Sequence, residues 1–147
     1  MTPRSLDPAV VGRRLRIMAD ILEAFVQVEG IEIEGVTARS VERYAAERMM
    51  IQLVDLATDI NAHLASTLLK RAPEEYADGF RLVAQIVPLP EKTARELELA
   101  ARMRNVLVHQ YVDLDPDRFA AALPRVRPVF RIYIEVVAQW LLTQADA

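Results

Sequence analysis

VERYAAERMMIQLVDLATDINAHLASTLLK, residues 41–70, is the stretch whose reading decides the fold. Val41, Tyr44, Ala45, Leu53, Leu56, Ile60, Leu64 and Leu68 recur at helical spacing, and the pattern stops before Pro73, which cannot continue a helix. Thr37 is placed to cap the start. A helix of about 30 residues far exceeds the usual globular length of about 11 or 12. It needs partners along its whole length, which suits a helical bundle or a dimer seam.

The flanks supply those partners. Asp7-Pro8 reads as an N-cap and first helical residue of a helix running to about Val28, with Val11, Leu15, Met18, Leu22, Phe25 and Val26 on one apolar face. Residues 29–36 carry two glycines and three glutamates and read as a loop. After the long helix, Glu74 to Gln85 is predicted as a short helix. Val87-Pro88-Leu89-Pro90 is a break, and Pro90 opens a helix to about Val108 with Leu97, Leu99, Ala100, Met103 and Leu107 facing inward. Asp115-Pro116 opens the last helical region, which Pro124 and Pro128 are expected to kink or split. There Ile132, Val136, Val137, Trp140 and Leu141 are expected to finish the core. The expectation is all-α: one domain over residues 1–147, an up-and-down bundle of four to five main helices, the last kinked by prolines.

Composition bounds the function. The chain has no cysteine, which removes disulfides and thiolate metal sites and agrees with a reducing cytosol. Its two histidines give no zinc spacing, and no glycine-rich phosphate loop is visible, so neither metal nor cofactor is expected. The first residues lack the apolar core of a signal peptide, and no apolar run reaches the roughly 20 residues of a membrane span. A soluble, cytoplasmic protein is expected. The net charge of −3 lacks the basic surplus of a non-specific nucleic-acid binder. Any RNA contact must therefore be local, through a few arginines in a cleft, or shared between subunits.

Chemistry concentrates in Arg102-Met103-Arg104-Asn105-Val106-Leu107-Val108-His109-Gln110-Tyr111. A guanidinium, an amide, an imidazole and a phenol are the groups that hold a phosphate and move a proton beside it. An Arg and a His near a helix C-terminus also complement the helix dipole. Five residues on an ideal helix leave Arg104 and His109 roughly 140° apart. Either the helix ends between them or a second copy of the chain completes the site. Asp59 and His63, at i and i+4 on the long helix, are spaced to pair with each other, as a structural pair or as part of the cleft; the structural pair is preferred.

Arg104, four residues, His109, one residue and Tyr111 resemble the Arg-x4-His-x-Tyr motif of HepT toxins, a prokaryotic branch of the HEPN (higher eukaryotes and prokaryotes nucleotide-binding) superfamily. Asn105 directly after the arginine fits the wider HEPN pattern. Ser40 to Tyr44, Asp59 to Leu64, Tyr76 to Leu82 and Leu89 to Glu91 resemble the same family in the expected order, over roughly residues 8 to 143. The resemblance implies a homodimer and a metal-independent endoribonuclease acting on RNA, with Arg104 and His109 catalytic and Asn105 supporting. It also implies a cognate minimal nucleotidyltransferase (MNT) antitoxin that transfers AMP to Tyr111. A second reading makes the chain a non-catalytic HEPN module, the binding or regulatory subunit of a nucleotidyltransferase.

Overall fold

A computed structural model describes residues 5–32, 34, 40–109 and 114–145; Thr37 and Tyr111 lie outside them. Among the described residues there are five α-helices and no strand: α1 (Pro8–Phe25), α2 (Val41–Leu64), α3 (Tyr76–Val83), α4 (Glu91–His109) and α5 (Pro116–Ala145). None is long and apolar enough to cross a membrane.

Local chemistry sets the boundaries. Asp7 Oδ1 accepts from the N–H groups of Ala9 and Val10, with Pro8 in the first turn, as expected. Helix α2 is capped by Ser40, whose hydroxyl accepts from Arg43 N–H at 3.2 Å. It runs into a π-helical turn, Ala65–Leu69, where the Thr67 hydroxyl donates back to the His63 carbonyl at 2.8 Å. Lys70 then turns left-handed (φ 56°), and its N–H returns to the Ala65 carbonyl. The Glu75 N–H donates to Asp78 Oδ2 at the start of α3, the Pro90 carbonyl receives Ala94 N–H at the start of α4, and Asp115 Oδ1 receives Asp117 N–H before α5.

Helix α5 is not split. It continues through Pro124 and Pro128 for 30 residues. Both prolines are exposed and four residues apart, so the two missing intrahelical hydrogen bonds fall near one side of the helix.

Helix α2 touches α1, α3, α4 and α5. The pairs Arg14–Asp59 (3.4 Å) and Asp7 N–H to His63 Nε2 (3.0 Å) fix α1 antiparallel to α2, because the α1 number rises as the α2 number falls. Arg127–Glu29 (2.8 Å) ties α5 to the end of α1, and Arg125 reaches both oxygens of Glu96 (2.9 Å each) between α5 and α4.

Few as the aromatics are, they sit at the centre: Phe25, Phe80, Phe119, Phe130 and Tyr133 are fully buried. Phe80 and Tyr133 meet edge to face, ring centroids 5.8 Å apart. The Tyr133 hydroxyl donates to Asn61 Oδ1 at 2.7 Å, a polar bond across α5 and α2 inside the core. Helix α3 closes on the same spot because Gly79 has no side chain; a Cβ there would lie 3.0 Å from Asn61 Cβ.

Several apolar positions expected inside are not. Val41 is 80% exposed and Leu99 60%, and Tyr44, Leu68, Val26 and Ile132 also face out. In α5 the core-facing set is Phe119, Leu123, Val126, Val129, Phe130, Tyr133 and Val137, a stripe that begins more than three turns before the expected start at Ile132. The sequence offered more apolar residues than one face of each helix can bury.

Burial pushes the Tyr133 phenol well above its ordinary range. Its neutral form is therefore favoured in the folded state. That contribution is complete below the unfolded value of about 10 and is lost as pH rises above it, by about 1.4 kcal/mol per pH unit until the folded phenol itself ionises. Tyr133→Phe, which leaves Asn61 Oδ1 without this donor, is expected to cost about 1–2 kcal/mol near neutral pH and to flatten the alkaline loss. Urea unfolding at pH 7 and between pH 9.5 and 11 measures both; unchanged stability with an unchanged alkaline slope would contradict the buried bond.

Candidate active site

Helix α4 carries both Arg104 and His109, so the helix does not end between them. The roughly 140° separation therefore stands within one chain. The two side chains also differ in setting. Arg104 is 15% exposed and turned towards α2, whereas His109 is exposed at the last position of α4.

Arg104 is held from three directions. Its Nε donates to Asp55 Oδ1 of α2 at 2.9 Å. Its guanidinium carbon lies 4.7 Å from the centre of the Tyr76 ring at the start of α3. Its Nη1 is 3.4 Å from Asn105 Oδ1, so the exposed Asn105 contacts the arginine beside it.

Asp59 and His63 do not pair with each other. Asp59 meets Arg14, and His63 Nε2 accepts the Asp7 N–H. Both bind α1 to α2, and the acceptor lone pair of His63 is already committed to the α1 cap. The structure thus brings Arg104 and Asn105 together, places His109 apart from them, and gives Asp59 and His63 to a helix–helix contact.

Sequence reading missed Asp55 and Tyr76. Tyr76 begins a segment used only for family likeness. Asp55 stands 49 residues from Arg104, a distance no spacing rule covers. One signal was present: Asp55 is a single charge inside Leu53-Val54-Asp55-Leu56-Ala57, where Leu53, Val54 and Ala57 are buried. A lone carboxylate among buried apolar neighbours, its own side chain 42% exposed, is a place to look for a cation on an adjoining helix.

An apolar cavity of about 310 Å³ lies between α2, α4 and α5, lined by Met50, Leu99, Met103, Val129 and Phe130 among others, but not by Arg104, Asn105 or His109. Among the described residues no three His, Asp or Glu side chains gather to hold a metal ion.

The sequence profile of the Ribonuclease HepT-like family matches residues 15–137, most of the chain. The chain belongs to the HepT-like ribonuclease family. A relative, the tRNA nuclease HepT of Aphanizomenon flos-aquae (strain 2012/KM1/D3), is 22% identical over 139 residues, covering 95% of each chain. Among solved structures, the tri-AMPylated HEPN toxin of Shewanella oneidensis in complex with MNT antitoxin is similar with a TM-score of 0.77 at 18% identity, covering 88% of this chain and 97% of that one. YutE of Bacillus subtilis, a cytosolic protein of unknown function, gives a TM-score of 0.78 at 17% identity, covering 95% and 93%. These structures share the HepT-like helical fold described above.

The different settings of the two motif residues predict different effects on folding. His109→Ala is expected to leave stability within about 0.5 kcal/mol, as for an exposed side chain with no partner among the described residues. Arg104→Ala is expected to cost about 1 kcal/mol, because it strips a partner from Asp55 (side chain 42% exposed) and the cation from the Tyr76 ring. Chemical denaturation of both variants checks this; equal losses would contradict the placement.

Proposed function

We propose that this HepT-like chain is the toxin of a toxin–antitoxin pair and a metal-independent endoribonuclease, with Arg104 and His109 as its catalytic residues. The observation that carries the reading is the fixed guanidinium of Arg104, five residues before an exposed imidazole on the same helix, within the region matched by the family.

RNA carries its own nucleophile. The 2′-hydroxyl attacks the adjacent phosphorus, the new O2′–P bond forms, and the P–O5′ bond breaks. A base takes the 2′ proton and an acid gives one to the departing 5′-oxygen, leaving a 2′,3′-cyclic phosphate and a 5′-hydroxyl. Imidazole is the side chain that gains and loses a proton near neutral pH, so His109 takes one of these roles. Arg104 stabilises the charge that grows on the phosphorus oxygens, and Asn105 supports the arginine. One imidazole does not serve both ends of an in-line displacement. A homodimer that brings two motif helices to one cleft supplies two, and lets the arginine of one copy work with the histidine of the other. The tRNA nuclease relative makes tRNA the substrate to test first.

The proposed partner is a minimal nucleotidyltransferase antitoxin that AMPylates Tyr111. The phenol oxygen bonds to the α-phosphorus of ATP, the α–β phosphoanhydride breaks, pyrophosphate leaves and the phenolic proton is released. The adduct places negative charge and bulk two residues from His109, where it repels RNA phosphate. The tri-AMPylated relative supports this reading.

Cleavage of tRNA by purified protein in EDTA is the test, wild type beside Arg104→Ala and His109→Ala. Cleavage by wild type with cyclic-phosphate ends, reduced at least about 100-fold in each variant, is expected. No cleavage, or equal cleavage by all three, would favour the non-catalytic nucleotidyltransferase subunit. Incubation with ATP and the nucleotidyltransferase should add AMP at Tyr111, read by peptide mass spectrometry; an unmodified Tyr111 beside an active transferase would overturn the modification.

A further inference from the structure

We infer that Asp55 and Tyr76 are positioning residues for Arg104: the carboxylate holds the Nε edge of its guanidinium and the aromatic ring lies against it, so that its Nη2 group is the donor presented to an RNA phosphate. The inference rests on the ribonuclease reading above.

A guanidinium offers five N–H donors in one plane and two faces. One hydrogen bond leaves it free to swing about the bond axis. Here the bond from Nε to Asp55 Oδ1 is joined by the Tyr76 ring, whose centre lies 4.7 Å from the guanidinium carbon, and by Asn105 Oδ1 near Nη1. Three contacts, from α2, α3 and α4, restrain where the guanidinium sits and how far it can swing. Among the described residues Nη2 has no hydrogen-bond partner, and Arg104 is the one guanidinium set over an aromatic ring. Arg125 and Arg127 differ: they join helices by spending an Nη group on a carboxylate.

Electrostatics sharpens the point. A carboxylate beside Arg104 offsets its charge and so works against simple attraction of phosphate. If Asp55 mattered only through charge, removing it would help RNA bind. A geometric role predicts the opposite sign in the rate: the orientation is lost in the transition state even as ground-state binding holds or improves. An ordinary interhelical ion pair predicts neither, only a loss of stability.

Single-turnover cleavage of end-labelled tRNA in EDTA, at increasing enzyme concentration, separates maximal rate from half-saturation. All variants are first shown to be folded and of unchanged oligomeric state. Asp55→Ala is expected to lower the maximal rate about 30- to 100-fold, the scale of an ångström-sized misplacement, with half-saturation unchanged or lower. Asp55→Asn, which keeps the acceptor, should recover at least about tenfold of that loss. Tyr76→Leu should lose about tenfold and Tyr76→Phe, which keeps the ring, less. In an Arg104→Ala background, adding Asp55→Ala should change nothing further, because Asp55 acts through the arginine.

A full maximal rate in Asp55→Ala with an inactive Arg104→Ala would overturn the positioning role alone. So would equal losses in Asp55→Asn and Asp55→Ala, or an additive loss in the double variant. Wild type that leaves tRNA intact, or Arg104→Ala that cuts as fast as wild type, would overturn the ribonuclease reading and this inference with it.

Discussion

Helix α2 must bury apolar surface against four other helices at once, and the arrangement of the protein follows from that constraint. Met50, Leu53, Val54, Ala57, Ile60 and Leu64 are all inaccessible to solvent on it. Two of the polar side chains of α2 tie it to other helices. Asn61 accepts from Tyr133 of α5 and leaves room only for Gly79 of α3. Asp55 meets Arg104 of α4. The first bond registers three helices within the core, where an unpaired acceptor is costly. The second carries the same registration outwards to the motif. Rigid packing around α2 is thus what fixes the motif arginine in space.

Much of this was legible in the chain. Helical spacing, Asp7-Pro8, Pro90 and Asp115-Pro116 located the helix starts, since caps and prolines act within a few residues of where they stand. The facing of α5 was not legible, because its apolar residues outnumber those one stripe can bury and only neighbouring helices select among them. Of the two outcomes expected from the prolines of α5, a kink or a split, the split does not occur: one helix runs through both. In the site, Arg104, Asn105 and His109 stood out by type and spacing. Asp55 and Tyr76 did not, because their contacts with Arg104 exist only once α2, α3 and α4 have packed. Asp59 and His63 looked like partners at i and i+4, yet α1 offered each a better-placed group.

The same rigidity creates a chemical problem. Arg104 and His109 belong to one continuous helix and point roughly 140° apart, one inwards to Asp55 and Tyr76 and the other out to solvent. The proposed answer is a cleft built by two copies, in which each imidazole works beside the other copy's guanidinium. The acidic net charge suits that arrangement, since a short composite cleft needs few cations.

Co-expressing Arg104→Ala with His109→Ala and isolating the mixed dimer tests this most directly. In a cleft shared between copies, one of the two arginine–histidine pairings in the mixed dimer is intact. The account predicts that tRNA cleavage in EDTA rises well above that of either variant alone, yet stays below wild type because the cleft keeps only one of its two imidazoles. A mixed dimer no more active than either parent would show that each copy uses its own pair, and would contradict the shared cleft.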